Sequence, residues 1–120
     1  MKHFLYIFTI LFSIHLIGQT KINAKLFAKD LKEANLFFET EDYLNAINSY
    51  RKVLAIDVNN ETANLNSAIS RIKLNQPTDS SLLNLSRIKS STTPEVQFYF
   101  GRIYHLNNNF DQAIIYFNNY

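Results

Sequence analysis

The chain has 120 residues, 47% hydrophobic and 18% charged, with a formal net charge of +2. That length holds one domain, and the composition is globular rather than disordered. Two glycines, two prolines and no cysteine leave little turn chemistry for an all-β fold and exclude a disulfide framework, a thiol nucleophile and a lipid-bearing cysteine. The twelve Lys and Arg are scattered among ten acids, with no clustered basic face of the kind nucleic acid requires.

Residues 1–18 read as a secretory signal peptide. Lys2 and His3 make a short basic start, Phe4 to Ile17 is almost wholly apolar, and Gly18 precedes polar Gln19-Thr20-Lys21. Fourteen helical residues at 1.5 Å each reach about 21 Å, short of the ~30 Å hydrocarbon core of a bilayer. Leu16 is a poor small residue at the −3 position of a cut after Gly18, so an uncleaved anchor is the alternative. The expected product is an exported chain of residues 19–120, in the periplasm or associated with the outer membrane.

The first helix is expected over about Asn23 to Thr40, with Phe27, Leu31, Ala34 and Phe38 on one stripe. Glu39-Thr40-Glu41-Asp42 is a polar turn in which Asp42 suits the N-cap of the next helix. In that helix Tyr43, Ala46, Ile47, Tyr50, Val53 and Leu54 face inward, and Asn45, Asn48, Ser49, Arg51 and Lys52 face outward. Ala63 to Ile72 reads as a third helix around Ala68. A fourth is expected from about Asp79 to Lys89, after a turn containing Pro77, with Leu82, Leu83, Leu85 and Ile88 on its stripe. Thr92-Thr93-Pro94-Glu95 has the form of a capping box for a fifth helix carrying Phe100, Gly101 and Tyr104 on one face. Phe110, Ala113, Ile114, Phe117 and Tyr120 form the stripe of the sixth.

These helices repeat. Ala34 and Ala46 are spaced as Gly101 and Ala113 are, and Tyr43 corresponds to Phe110, at an offset of 67 residues. That is two periods of roughly 33.5, close to the ~34 residues of a tetratricopeptide, and Ala68 stands at the halfway point. Gly101 inside a helix costs up to ~1 kcal/mol against Ala, which suits a position where another helix backbone approaches closely. Gly101→Leu is therefore expected to unfold the hairpin, and Gly101→Ala to be mild or stabilising.

On these positions residues 27–120 resemble the tetratricopeptide repeat family, with good matches at both ends and a weak one in the middle. Phe98 to Leu106 with Asn109 to Phe117 is similar, more narrowly, to the N-terminal repeats of exported Bacteroidetes proteins that continue into a β-propeller segment and an OmpA-like peptidoglycan-binding domain. The resemblance implies an all-α, right-handed superhelix of about three helix-turn-helix hairpins, over about 27–60, 61–93 and a truncated 94–120. It also implies a stack that continues past Tyr120, leaving the stripe of the sixth helix without its neighbour.

No constellation of residues carries chemistry. Glu39, Glu41 and Asp42 are better read as a solvated turn than as a cation site. His105 lacks partners for a metal, the serines lack a nucleophile elbow, and no glycine-rich phosphate loop exists. The expectation is a protein with no enzymatic activity, cofactor, metal, small-molecule substrate or nucleic-acid partner. Most aromatics fall at packing positions, so a core role outweighs a stacking surface for bases or sugars. The inner wall of the superhelix would be lined by Leu31, Asn35 and Phe38, then Leu65, Ile69 and Ile72, then Phe98, Arg102 and His105. Such a wall is more apolar than a monomer needs to expose, and points to a protein or peptide partner. Coverage of the wall by further repeats is the alternative. The function expected is an interaction scaffold of the bacterial cell envelope, with a structural spacer before a cell-wall-binding domain as the second reading.

Overall fold

A computed structural model describes residues 23–76, 78–89 and 91–120; the expected signal peptide, residues 1–18, and Pro77 lie outside the described residues. The described residues form six helices and no strand. Helix α1 occupies residues 23–39. It is followed by α2 (Tyr43–Ile56), α3 (Glu61–Lys73), α4 (Asp79–Ser86), α5 (Pro94–Leu106) and α6 (Phe110–Asn118). Each packs on its chain neighbour, and α3 also reaches α5.

Three turns give the chain its period. Glu41, Asn75 and Asn108 take left-handed backbone conformations, with φ of 61°, 51° and 60°. They follow α1, α3 and α5, so the same turn recurs at spacings of 34 and 33 residues. The hydrogen bonds recur with it. The next amide donates back to the last turn of the helix in each case: Asp42 to the Phe37 carbonyl at 2.8 Å, Gln76 to Arg71 at 2.9 Å, and Asn109 to Tyr104 at 2.9 Å. This is the Schellman closure of a helix C-terminus, which satisfies carbonyls the helix leaves open. Asparagine tolerates positive φ better than most residues; Glu41 adopts it without that help.

The two outer hairpins share further detail. Asp42 and Asn109, 67 residues apart, each cap the following helix through a side-chain oxygen, accepting from Asn45 N–H and Gln112 N–H at 3.3 Å. In each hairpin a ring at the end of the first helix meets a ring at the start of the second edge-on. Phe38 lies 6.1 Å from Tyr43 at 72°, and His105 lies 5.6 Å from Phe110 at 70°.

Two apolar clusters form the core. The first joins Ala34, Ala46, Tyr50, Val53 and Ala63, with Phe27, Leu31, Phe37 and Phe38 packed against it. The second joins Ala68, Ile72, Leu85, Ile88, Val96, Phe100 and Ile103, flanked by Tyr104 and Tyr116. Helix α3 belongs to both: its first turn gives Ala63 to one and its later turns give Ala68 and Ile72 to the other. Each large side chain so buried contributes roughly 1.5–3 kcal/mol.

Several local expectations need correction. Ser49 is buried rather than outward. The N-cap of α5 is Thr93, so Pro94 is N1 and Val96 occupies N3; Glu95 is out of register for a capping box, and no side chain caps this helix. The polar link there is instead Gln97 Nε2 donating to the Ser91 carbonyl at 2.6 Å. Helix α4 ends at Ser86, whose hydroxyl donates to the Leu83 carbonyl at 2.8 Å, although Ile88 beyond it is still buried. On α6 the inward residues are Ala113, Tyr116 and Phe117, while Phe110, Ile114 and Tyr120 are more than half exposed. Tyr116 stacks on Phe100 at 4.9 Å and on Tyr104 at 5.3 Å, a pairing the apolar stripe did not include.

Gly101 also acts differently from expectation. A Cβ placed there would stand 2.6 Å from both Cδ1 and Cε1 of Phe117. The close approach comes from a facing aromatic ring rather than a backbone. Even alanine would require that ring to shift, so the gain in helix propensity expected of Gly101→Ala is set against the cost of moving Phe117.

Candidate binding grooves

The nine expected wall residues are distributed over several surroundings. Four of them meet in one groove. Ile69 and Ile72 of α3 and Phe98 and Arg102 of α5 line a cavity of about 390 Å³, together with Lys73, Asn75 and Tyr99. The helical spacing explains the meeting: Ile69, Ile72 and Lys73 share one face of α3, and Phe98 and Arg102 are one turn apart on α5. The floor is apolar and the rim carries the ammonium of Lys73 and the guanidinium of Arg102.

Leu31 and Asn35 line a second groove of about 500 Å³ along α1, with Phe27, Ala28, Lys32, Leu36 and Glu39. Phe38 is turned towards the hairpin interior, with ring contacts to Tyr43 at 6.1 Å and Tyr50 at 6.5 Å. Leu65 packs against the second core cluster and lines a recess with Glu61, Thr62, Ile88 and Val96. His105 stands at the exposed end of α5 against Phe110, outside the α3–α5 groove.

The wall is less exposed than its composition suggests. Ile69 and Ile72 are buried, at 7% and 6% exposure. Phe98 is half-covered by its own neighbours, with Tyr99 at 5.4 Å, Phe117 at 6.0 Å and Tyr120 at 5.3 Å. The strongly exposed large apolar residues are others, among them Leu36, Leu44, Ile114 and Tyr120.

A polar clasp fixes the start of this surface. The Tyr50 hydroxyl donates to Asn35 Oδ1 at 2.7 Å and accepts from Asn66 Nδ2 at 2.9 Å, joining α1, α2 and α3 through one oxygen. Burial raises the Tyr50 pKa above its ordinary 10.0; the Asn66 bond opposes that shift, and the Glu39 charge adds to it. The hydroxyl therefore stays neutral and keeps its proton for Asn35. Burial, with the Glu95 charge, likewise raises the pKa of Tyr99 in the groove.

A third groove had no counterpart in the sequence reading. Ile47, Arg51, Leu54 and Ala55 of α2, Ser67 and Arg71 of α3, and Ser80, Leu83, Asn84 and Arg87 around α4 enclose about 360 Å³. Three arginines spread over 36 positions carry no local motif. Only the stacking of α2, α3 and α4 gathers them. The available signal was their placement on helix faces: Arg51 follows Ile47, and Arg71 follows Ser67, each by one turn.

Among the described residues no three of His, Asp and Glu gather as a metal ligand set, and no helix is long and apolar enough to cross a membrane. No protein-family model matches the chain. No curated protein matches it either.

Proposed function

We propose that the chain is a tetratricopeptide-type interaction scaffold, without enzymatic activity, of the bacterial cell envelope, and that it holds a peptide or helix of a partner protein in the groove between α3 and α5. The recurrence of one turn geometry at Glu41, Asn75 and Asn108 supports the repeat reading. In a right-handed stack of such hairpins the first helices of successive repeats line the inner surface, and α3 and α5 are first helices.

The observation that carries the binding reading is the groove's composition. Ile69, Ile72, Phe98 and Tyr99 offer an apolar floor, and Lys73 and Arg102 stand at its edge. That arrangement suits an apolar anchor side chain flanked by acidic residues. The envelope assignment rests on the basic, apolar and small-residue order of residues 1–18.

Site-directed photocrosslinking in the source cells tests the reading. A photoreactive residue at Tyr99 or Arg102 should capture one discrete partner, whereas the same residue at the outward Asn48 should not. Identical capture from all three positions, or none from any, would remove the groove from consideration.

A further inference from the structure

We propose that the groove between α2, α3 and α4 is a binding site for a phosphate-type oxyanion, held by Arg51, Arg71 and Arg87. Arg51 of α2, Arg71 of α3 and Arg87 at the C-cap of α4 all line this groove, and among the described residues its lining contains no carboxylate. Ser67, Ser80 and Asn84 add hydroxyl and amide groups around the same space. A purely structural cluster would interleave acids, because convergent like charges repel. Arg71 makes the imbalance concrete. Its Nε is buried with no hydrogen-bond partner, and its pKa is lowered by burial and by the neighbouring Arg51 charge. It remains a cation with a donor unused. A single carboxylate would neutralise one of the three charges, whereas a phosphate group brings up to two negative charges and several acceptors that fit the planar fork of arginine.

The site is separate from the α3–α5 groove, so the two readings stand or fall independently. Inorganic pyrophosphate is the first probe, titrated calorimetrically into the whole chain. One site per chain is expected, weakening steeply with salt. Arg51→Gln, Arg71→Gln and Arg87→Gln should each weaken it about tenfold or more, and Arg102→Gln, in the other groove, should leave it unchanged. Arg51 is exposed and Arg87 partly so, so these two variants test the site even if Arg71→Gln disturbs folding. The second probe is a vesicle of phosphatidylglycerol in phosphatidylcholine, against phosphatidylcholine alone. Arginine-dependent retention on the anionic vesicles identifies a lipid headgroup as the source; pyrophosphate binding without retention identifies a soluble phosphate. Absence of both, or binding that survives all three substitutions, overturns the proposal.

Discussion

The first and last hairpins solve one packing problem in two ways. Ala34 and Gly101 are equivalent positions, as are Tyr50 and Phe117, at an offset of 67 residues. In the first hairpin the small residue keeps its methyl group, and the facing tyrosine is fully buried with its hydroxyl held between Asn35 and Asn66. In the last, the small residue has lost its methyl, and the facing phenylalanine ring lies where that methyl would be. The first uses directional bonds to fix the ring; the second uses contact alone. The two pairs differ by a methyl group and a hydroxyl together, so equivalent positions hold their rings by different means rather than by a constant shared volume.

Exchanging the small residues breaks the comparison most severely. Gly101→Leu should cost about 3 kcal/mol and Gly101→Ala about 1–2 kcal/mol in denaturant melts, because the Phe117 ring must move. In a Phe117→Leu background Gly101→Ala should turn neutral or stabilising, releasing the ~1 kcal/mol that glycine costs a helix. A penalty for Gly101→Ala that is the same in both backgrounds would refute the ring as its cause.

Removing the clasp comes next. Tyr50→Phe leaves the Asn35 oxygen and an Asn66 donor without their partner and should cost about 1–2 kcal/mol. Phe117→Tyr, the reverse exchange, finds Arg102 in place of Asn35 and should restore nothing. Additive effects of Tyr50→Phe and Asn66→Ala in a double-mutant cycle would show that the clasp carries no coupling.

A smaller effect lies in the turn. Glu41 holds the left-handed conformation that asparagine holds in the other two turns. Glu41→Asn should therefore stabilise the chain by about 0.5–1 kcal/mol, seen as a rise in Tm. The smallest contrast is alkaline. Burial raises the Tyr50 pKa above 10.0, so the unfolded chain gives up its proton first as pH rises. This stabilisation is whole below about pH 10 and fades as pH climbs through the folded-state pKa. Tyr99 and Tyr116 shift the same way. Tyr50→Phe should flatten part of the loss of stability between pH 9 and pH 12, followed by tyrosinate absorbance and circular dichroism.

The sequence made the helices legible wherever side chains repeat at helical spacing. The α2 stripe is buried as the spacing predicts, with Ala46, Tyr50 and Val53 inaccessible. Asp42 caps α2 because a short acidic side chain before an apolar run has one favourable use there. The failures are tertiary. The exposure of Ile69 and Ile72 depends on how far α5 slides over α3, and nothing local specifies that. The capping box at Thr92–Glu95 missed by one residue, within the usual uncertainty of a helix start. The three arginines were invisible because sequence reading groups residues by proximity along the chain, and these meet only through three helices.

Helix α3 has a consequence that follows from its position. Its thirteen residues supply Ile69, Ile72 and Lys73 to one groove and Ser67 and Arg71 to the other. Ligands in the two grooves would contact the same helix, within which Ser70 Oγ donates to the Asn66 carbonyl at 2.7 Å. If both grooves are occupied and binding at one tilts α3, the spacing of the other would change with it. Any coupling of that kind would be reciprocal: whatever factor an anion imposed on peptide affinity, the peptide would impose on the anion.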